Sequence, residues 1–149
     1  MKTNKLKNIL QKIFISHRLT KKHSSICANA LINAELVGAP SHGLSRLKMY
    51  CDRINAKLIN PRPKIKIKKI SQSITHINAD NSIGFIAADL AIKTAINNAK
   101  KTGIGLVAVK NSGHYGLSGY YAEQAVKKKL ISIIFTNAPP AIAPHGALK

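Results

Sequence analysis

Two short clusters of polar residues in this 149-residue chain combine side chains that can bind an organic acid and move a proton. The first is Ser41-His42-Gly43, followed by Arg46 and Tyr50. If a helix begins at Ser41, His42 lies in its first turn, and Arg46 and Tyr50 share its face. That face offers a titratable imidazole, a guanidinium fork suited to a carboxylate, and a phenolic hydroxyl. The alternative is a capping serine followed by a surface arginine.

The second cluster is the glycine-rich segment Asn111-Ser112-Gly113-His114-Tyr115-Gly116, with Gly119 just beyond it. It follows a predicted strand and precedes a predicted helix, which is where α/β proteins place ligand-binding loops. Its glycines recur every third residue and do not match the dinucleotide fingerprint GxGxxG. His114 could act there as a general acid or base, or it could be a solvated histidine in a structural turn.

Other kinds of site find little support in the sequence. The remaining histidines show no metal-ligand spacing with the cysteines or the 5 acidic residues, so we expect no metal site. Neither a GxSxG nucleophile motif nor a phosphate-binding P-loop is found. Cys27 and Cys51 are isolated and are interpreted as small buried apolar residues in a reducing compartment.

The composition is strongly basic, with a formal net charge of +19. Because 20 of the 24 cations are lysine and aromatic residues make up 5%, the sequence lacks the arginine forks and stacking rings of nucleic-acid readers. We therefore do not expect a nucleic-acid partner. No stretch reaches the roughly 18 apolar residues of a membrane span, and no secretory signal is evident, so we expect a cytoplasmic protein without a membrane partner.

The elements that must position the two clusters begin with a helical region over residues 1–62. Apolar residues at helical spacing predict a first helix that includes residues 6–14. Ser24 or Ser25 is predicted to cap a second helix, which ends at Gly38. A third helix is predicted to begin near Ser41. Its buried face would contain Leu44, Leu47, Cys51 and Ile54.

Residues 63–149 are predicted to form an α/β layer. The predicted elements are half-exposed strands near Ile67 and Ile77, a turn at 80–82, a helix over 84–101 ending at Gly103, a buried strand over 104–110, a helix over 119–129, and a strand over 131–136. A small sheet with an open edge, followed by loop-like sequence, leads us to expect a truncated fold.

Four blocks of the sequence resemble the malate/L-lactate dehydrogenase family. This NAD(P)-dependent group is distinct from the Rossmann-type dehydrogenases and includes ureidoglycolate and sulfolactate enzymes. The blocks are AELVGAPSHGLSRLKMYCDRINAKLINP (34–61), ADNSIGFIAADLAIKTAI (79–96), GIGLVAVKNSGHYGLSGYYAEQAV (103–126) and FTNAPPAIAPHGA (135–147). The resemblance covers the N-terminal portion of the family's sequence. It implies the family's own α/β fold, with 63–149 as a partial cofactor-binding domain.

The resemblance also implies roles for individual residues. Ser41 and His42 match a Ser-His pair associated with a proton donor, and His114 matches a loop histidine assigned either to proton transfer or to the cofactor site. Arg46, with Tyr50 nearby, matches the substrate-binding position. Residues matching the cofactor site are His114, Tyr115, Gly116, Leu117, Ser118, Asn137 and Ala138. Whether His42 or His114 donates the proton stays open.

The implied function is hydride transfer between NAD or NADP and a small 2-oxo or 2-hydroxy acid such as malate or lactate, in a homodimer if the chain is complete. One alternative is an inactive remnant of such an enzyme, and another is a basic module that binds polyanions.

Overall fold

The computed structural model describes residues 3–137, which form α-helices followed by a small sheet with further helices. The helices are α1 (Thr3–Ser16), α2 (Lys21–Leu36), α3 (Leu47–Asn55), α4 (Gly84–Thr102) and α5 (Ser118–Val126), and the strands are β1 (Lys66–Lys69), β2 (Ile74–Ser82) and β3 (Leu106–Ser112). Two 3₁₀ turns, Pro40–His42 and Leu44–Arg46, lie between α2 and α3. The predicted α/β class is confirmed.

The three strands form one mixed sheet in the order β1-β2-β3. β1 pairs antiparallel with β2, placing Lys68 opposite His76. β2 pairs parallel with β3, placing Ile77 opposite Val109, and α4 is the crossover between these two strands. α4 packs against both β2 and β3. The loop that follows β3 therefore lies beside the end of β2 and the start of α4.

One buried cluster joins the first three helices to the start of α4. Leu10 and Phe14 of α1 pack with Leu31 of α2, Tyr50 of α3 and Phe85 of α4. Because burying each such side chain contributes about 1.5–3 kcal/mol, this cluster is what holds the α4 N-terminus against the helices. The division at residue 62 stays a prediction.

The second helix begins earlier than expected, and neither Ser24 nor Ser25 caps it. Thr20 is the N-cap, and its hydroxyl accepts a hydrogen bond from the His23 backbone N–H at 3.2 Å. Ser24 is buried within the helix, where its Oγ donates to the Lys21 carbonyl.

The third helix does not begin near Ser41, so that prediction is wrong. Gly43, with φ −99° and ψ −136°, interrupts the helical path between the two 3₁₀ turns, and α3 starts only at Leu47. His42 is therefore in a 3₁₀ turn and not in the first turn of α3.

The two cysteines differ in burial. Cys51 is only partly buried, whereas Cys27 is fully buried, and this burial raises the pKa of the Cys27 thiol.

The helix α4 matches its predicted span, and Gly103 ends it in a left-handed conformation with φ 83°. Three predictions for the sheet are wrong: the turn at 80–82, the burial of the strand predicted over 104–110, and the strand over 131–136. Residues 80–82 belong to β2, although Asp80 and Asn81 have positive φ and the register with β3 is irregular there. β3 is largely exposed because it is the edge strand of this sheet. Residues 131–136 form no strand: Ile131 is 96% exposed, with no neighbouring strand to pair with in the described part.

The α5 helix also ends sooner than the predicted 129. Lys127 to Lys129 form a turn after Val126, and Lys129 has a φ of 60°. The lysine run is exposed.

Candidate functional site

The residues 40–46 form a short folded segment that presents Ser41, His42 and Arg46 together. The Ser41 Oγ lies 3.0 Å from Nδ1 of His42, and the Arg46 Nε donates to the Ser41 carbonyl at 2.7 Å. The Ser45 Oγ donates to the Pro40 carbonyl at 2.6 Å. These local bonds fix the segment's shape without a regular helix.

The two sequence-predicted clusters meet in the fold through their histidines. The rings of His42 and His114 are stacked, with centroids 5.7 Å apart and planes inclined by 27°. The Tyr50 hydroxyl lies 2.7 Å from Nδ1 of His114. Tyr50 itself is buried and packs against Phe85, with ring centroids 4.9 Å apart and planes inclined by 56°. The chain thus brings residues 64 positions apart into one site.

The hydrogen bonds of His114 determine where its proton lies. The Gly116 backbone N–H, which can only donate, lies 3.2 Å from His114 Nδ1. Nδ1 is therefore an acceptor, and the Tyr50 hydroxyl must also donate to it. The neutral His114 ring then carries its proton on Nε2.

The electrostatic surroundings favour this neutral form. Burial lowers the pKa of His114, and the charges of His42, Arg46 and Arg53 lower it further. Burial raises the pKa of the Tyr50 phenol, so its hydroxyl keeps the proton that it donates. His114 is therefore a neutral ring at pH 7 with an Nε2–H available as a hydrogen-bond donor.

Two glycines allow the loop after β3 to approach α4 closely. A Cβ at Gly84 would collide with the backbone carbonyls of Gly113 and His114. Gly116 has a φ of 79°, and a Cβ there would collide with the Phe85 ring. The Gly113 N–H also donates to the Ser82 carbonyl at 3.1 Å. The His114 loop is thereby held against the junction of β2 and α4.

Arg46 is exposed beside this histidine pair. One of its N–H groups is engaged with Ser41, and the guanidinium has further N–H donors at its terminal nitrogens. Such a group can bind a carboxylate through two parallel hydrogen bonds.

Side-chain hydrogen bonds order the residues between His114 and α5. The Tyr115 hydroxyl lies 2.9 Å from Ser118 Oγ, and the buried Tyr121 hydroxyl donates to the Tyr115 carbonyl at 2.7 Å. Leu117 is the N-cap of α5 and makes no side-chain capping hydrogen bond. The Tyr120 N–H donates to the Leu117 carbonyl at 3.2 Å, so the first-turn N–H groups available to an anion are those of Ser118 and Gly119.

Two predicted cofactor residues lie at the limit of the described chain. Asn137 is exposed, and its carbonyl accepts a hydrogen bond from the Thr136 hydroxyl at 3.3 Å. Ala138 lies outside the described residues. Among the described residues, no hydrogen bond joins Asn137 to His42 or to His114.

A cavity of about 600 Å³ lies at the ends of α1, α3 and β2, where Arg18, Lys57 and Asp80 line it. None of the candidate residues lines this cavity.

Within residues 3–137, no three His, Cys, Asp or Glu side chains are grouped as a metal site requires. No helix in the same range has the length and apolar character to cross a membrane.

Two residues that support the site were not singled out from the sequence. Glu35 accepts a hydrogen bond from the Leu44 backbone N–H at 2.6 Å, and Phe85 packs against both Tyr50 and Gly116. Glu35 had one available signal: it is one of 5 acids in the chain and lies six residues before Ser41. Phe85 had no such signal, because its partners are distant in sequence.

The chain is similar to known proteins in three comparisons: with a family model, with individual sequences and with solved structures. The family model described as malate/L-lactate dehydrogenase matches residues 1–149. A malate dehydrogenase of Pyrococcus abyssi is 43% identical over 91% of this chain and 39% of its own length. A malate/(S)-sulfolactate dehydrogenase of Methanothermus fervidus is 35% identical over 94% of this chain and 41% of its own.

Solved structures agree with the sequence matches. The malate dehydrogenase of Pyrococcus horikoshii superimposes with a TM-score of 0.82 at 35% identity, covering 85% of this chain and 36% of that one. The sulfolactate dehydrogenase of Methanocaldococcus jannaschii gives a TM-score of 0.83 at 32% identity, covering 86% and 37%. The chain spans about two fifths of the length of the relatives it matches. With its whole length matched and its fold shared, the chain belongs to the malate/L-lactate dehydrogenase family.

Proposed function

We propose that this chain forms part of a nicotinamide-dependent oxidoreductase that interconverts a small 2-oxo acid and its 2-hydroxy acid. The observation that carries this proposal is the stacked pair of His42 and His114 beside an exposed Arg46. A proton donor, a fixed hydrogen-bond donor and a carboxylate-binding group are what reduction of a 2-oxo acid requires. The names of relatives that act on malate and sulfolactate support the substrate class.

Arg46 binds the substrate carboxylate in this proposal. Its Nε bond to the Ser41 carbonyl restrains the guanidinium, so less side-chain freedom is lost when the acid binds. The bidentate geometry would also orient the neighbouring C2 carbonyl toward the histidines.

His114 acts as a neutral hydrogen-bond donor to the C2 oxygen. Its Nδ1 is occupied by the Gly116 N–H and the Tyr50 hydroxyl, so its Nε2–H is the group available to the substrate. A donor fixed before the reaction stabilises the negative charge that develops on that oxygen. Tyr50 is better suited to holding His114 than to binding the carboxylate, because its ring is buried.

His42 is the proton donor. When its ring is protonated, Nδ1–H donates to Ser41 Oγ and Nε2–H faces outward from that bond. The proton passes to the C2 oxygen as C2 gains a hydride, which converts the carbonyl to a hydroxyl. The reverse reaction returns the proton to His42.

The loop from His114 to Ser118 supplies the cofactor side of the site, with NAD and NADP both compatible. When bound, the nicotinamide supplies or accepts the hydride at C2. Tyr115, Leu117 and Ser118 are partly buried at the uncapped start of α5, where backbone N–H groups suit a phosphate. We assign Asn137 and Ala138 to the same side only through the family resemblance.

The test begins with the intact mass of the native product, because this sequence alone corresponds to 16.1 kDa. That product is then assayed for oxidation of malate, sulfolactate and ureidoglycolate with NAD⁺ and NADP⁺. We expect turnover of at least one acid, and His42→Asn should lower it about 10²- to 10⁴-fold. His76→Asn, on the exposed face of β2, is the matched control. Absence of turnover, or full activity in His42→Asn, would overturn the proposal.

We further propose a cytoplasmic homodimer. This rests on the family resemblance, and sedimentation of the native product tests the oligomeric state.

A further inference from the structure

Glu35 connects the last turn of α2 to the segment that contains His42. Its Oε1 accepts a hydrogen bond from the Leu44 backbone N–H at 2.6 Å, nine residues further along the chain. Among the hydrogen bonds of residues 3–137, this is the one that ties the 40–46 segment to α2. The segment's other hydrogen bonds are local and fix its shape. Its position on the helices depends on the Glu35 bond, on the Ala39 N–H bond to the Ala34 carbonyl at 2.8 Å, and on the packing of Leu44 against the buried cluster.

Gly43 shows how closely the Glu35 side chain is packed against this segment. A Cβ at position 43 would lie 2.8 Å from Glu35 Cδ and 3.1 Å from Cγ, and would also collide with Oε1. Gly43 has a negative φ of −99°, so no left-handed backbone is involved, and the collision with Glu35 is a steric reason for glycine here. The carboxylate therefore occupies the space where a side chain at position 43 would lie.

The Glu35 carboxylate has no cation partner among the described residues. Asp52, Asp89 and Glu123 form ion pairs with lysines four residues away, whereas the Asp80 carboxylate, like that of Glu35, accepts a backbone N–H, from Lys64 at 2.8 Å. In a chain with 24 cations, an acid that instead binds a backbone N–H is placed to hold the main chain.

We infer that Glu35 is a positioning residue that sets the place of His42 relative to His114. The inference rests on the proposed function of the two histidines. Glu35 holds Leu44 N–H, Gly43 admits the carboxylate, and His42 is the residue immediately before that contact. Loss of the bond would let the 40–46 segment move on α2 and disturb the stacking of the two rings.

The test compares backbone amide exchange in the 149-residue chain and its variants. In Glu35→Ala, we expect the Leu44 amide to exchange at least about tenfold faster, while the Ala87 amide in α4 is unchanged. Glu35→Gln keeps an oxygen acceptor and should restore most of the protection. Asp52→Ala removes an exposed ion-paired acid and is the matched control.

The ring NMR signals of His42 and His114 give a second readout. They should shift in Glu35→Ala and return toward the wild-type positions in Glu35→Gln. Unchanged Leu44 protection in Glu35→Ala would overturn the inference. Equal acceleration of Leu44 and Ala87 would also overturn it, because that result indicates general destabilisation. Neither readout requires substrate or cofactor, so this inference and the proposed function can fail separately.

Discussion

The hydroxyl of Tyr50 donates a hydrogen bond to Nδ1 of His114 across 2.7 Å, and so joins α3 to the loop after β3. The same nitrogen accepts the Gly116 N–H. The backbone donor requires an unprotonated Nδ1, and the phenol, which could otherwise accept, then donates to the same nitrogen. This arrangement gives His114 different hydrogen-bond partners from His42, whose Nδ1 lies beside Ser41 Oγ, although the sequence alone does not distinguish the two histidines.

Replacing Tyr50 with phenylalanine should raise the pKa of His114. The change removes a hydrogen bond that favours the neutral ring and keeps the packing against Phe85. The free energy of unfolding should fall by about 1 kcal/mol, as for a typical lost hydrogen bond. NMR titration of the His114 ring, together with chemical denaturation, measures both effects.

The control for this change is Tyr121→Phe. Tyr121 is also buried and donates to the Tyr115 carbonyl, so a similar loss of stability is expected. The pKa of His114 should stay unchanged in that variant. If both variants shift the His114 titration equally, the direct bond from Tyr50 is not its cause.

The sequence predicts local features of the fold well. The span of α4 and its end at Gly103 are predicted because apolar spacing and a left-handed glycine are signals within the helix itself. The helix predicted at Ser41 fails because Leu44 N–H bonds to Glu35, a contact that periodicity does not reveal. The strand predicted over 131–136 fails for a related reason: an apolar run becomes a strand only beside a partner strand.

For the site, the sequence predicts the candidate residue types but not their arrangement. His42 and Arg46 lie close in the chain, so local spacing suggests their association. The meeting of His42 with His114 depends on the packing of α4, through Gly84 and Phe85, against the loop. Nothing in the spacing of these residues encodes that contact.

Stability should fall as the pH decreases below about 6.5, the usual histidine pKa. The pKa values of His114 and His23 are lowered in the folded protein, the first by burial and nearby cations and the second by burial and Lys22. The unfolded chain therefore takes up protons first as the pH falls. The contribution of each ring is complete above 6.5 and is lost as the pH decreases toward its folded pKa.

Denaturation at about pH 7.5 and about pH 5 measures this loss. His114→Gln and His23→Gln should each reduce the difference between the two conditions, and the double variant should reduce it further. A pH difference that is the same in all three variants as in the wild type would contradict this assignment.

Alanine at Gly116 should destabilise the protein more than alanine at Gly103. Both glycines have left-handed backbones, which cost an alanine about 1–2 kcal/mol. A Cβ at Gly103 would meet open space, whereas one at Gly116 would collide with Phe85. We therefore expect Gly116→Ala to lose about 1–3 kcal/mol more in the free energy of unfolding. Adding Phe85→Leu should recover part of that difference, and equal losses at both glycines would exclude the proposed collision.

Arg46→Ala should raise the KM for a 2-oxo acid about 100-fold, because a bidentate charge-assisted contact to the carboxylate is lost. Stability should change little, since Arg46 is exposed. Arg46→Lys keeps the charge but not the fork, so it should recover only part of the affinity. Lys48→Ala, an exposed cation paired with Asp52, is the control and should leave KM unchanged. A fall in kcat with KM unchanged in Arg46→Ala would instead assign the guanidinium to the transition state alone, because KM reports the contact only when it is already formed with the bound acid.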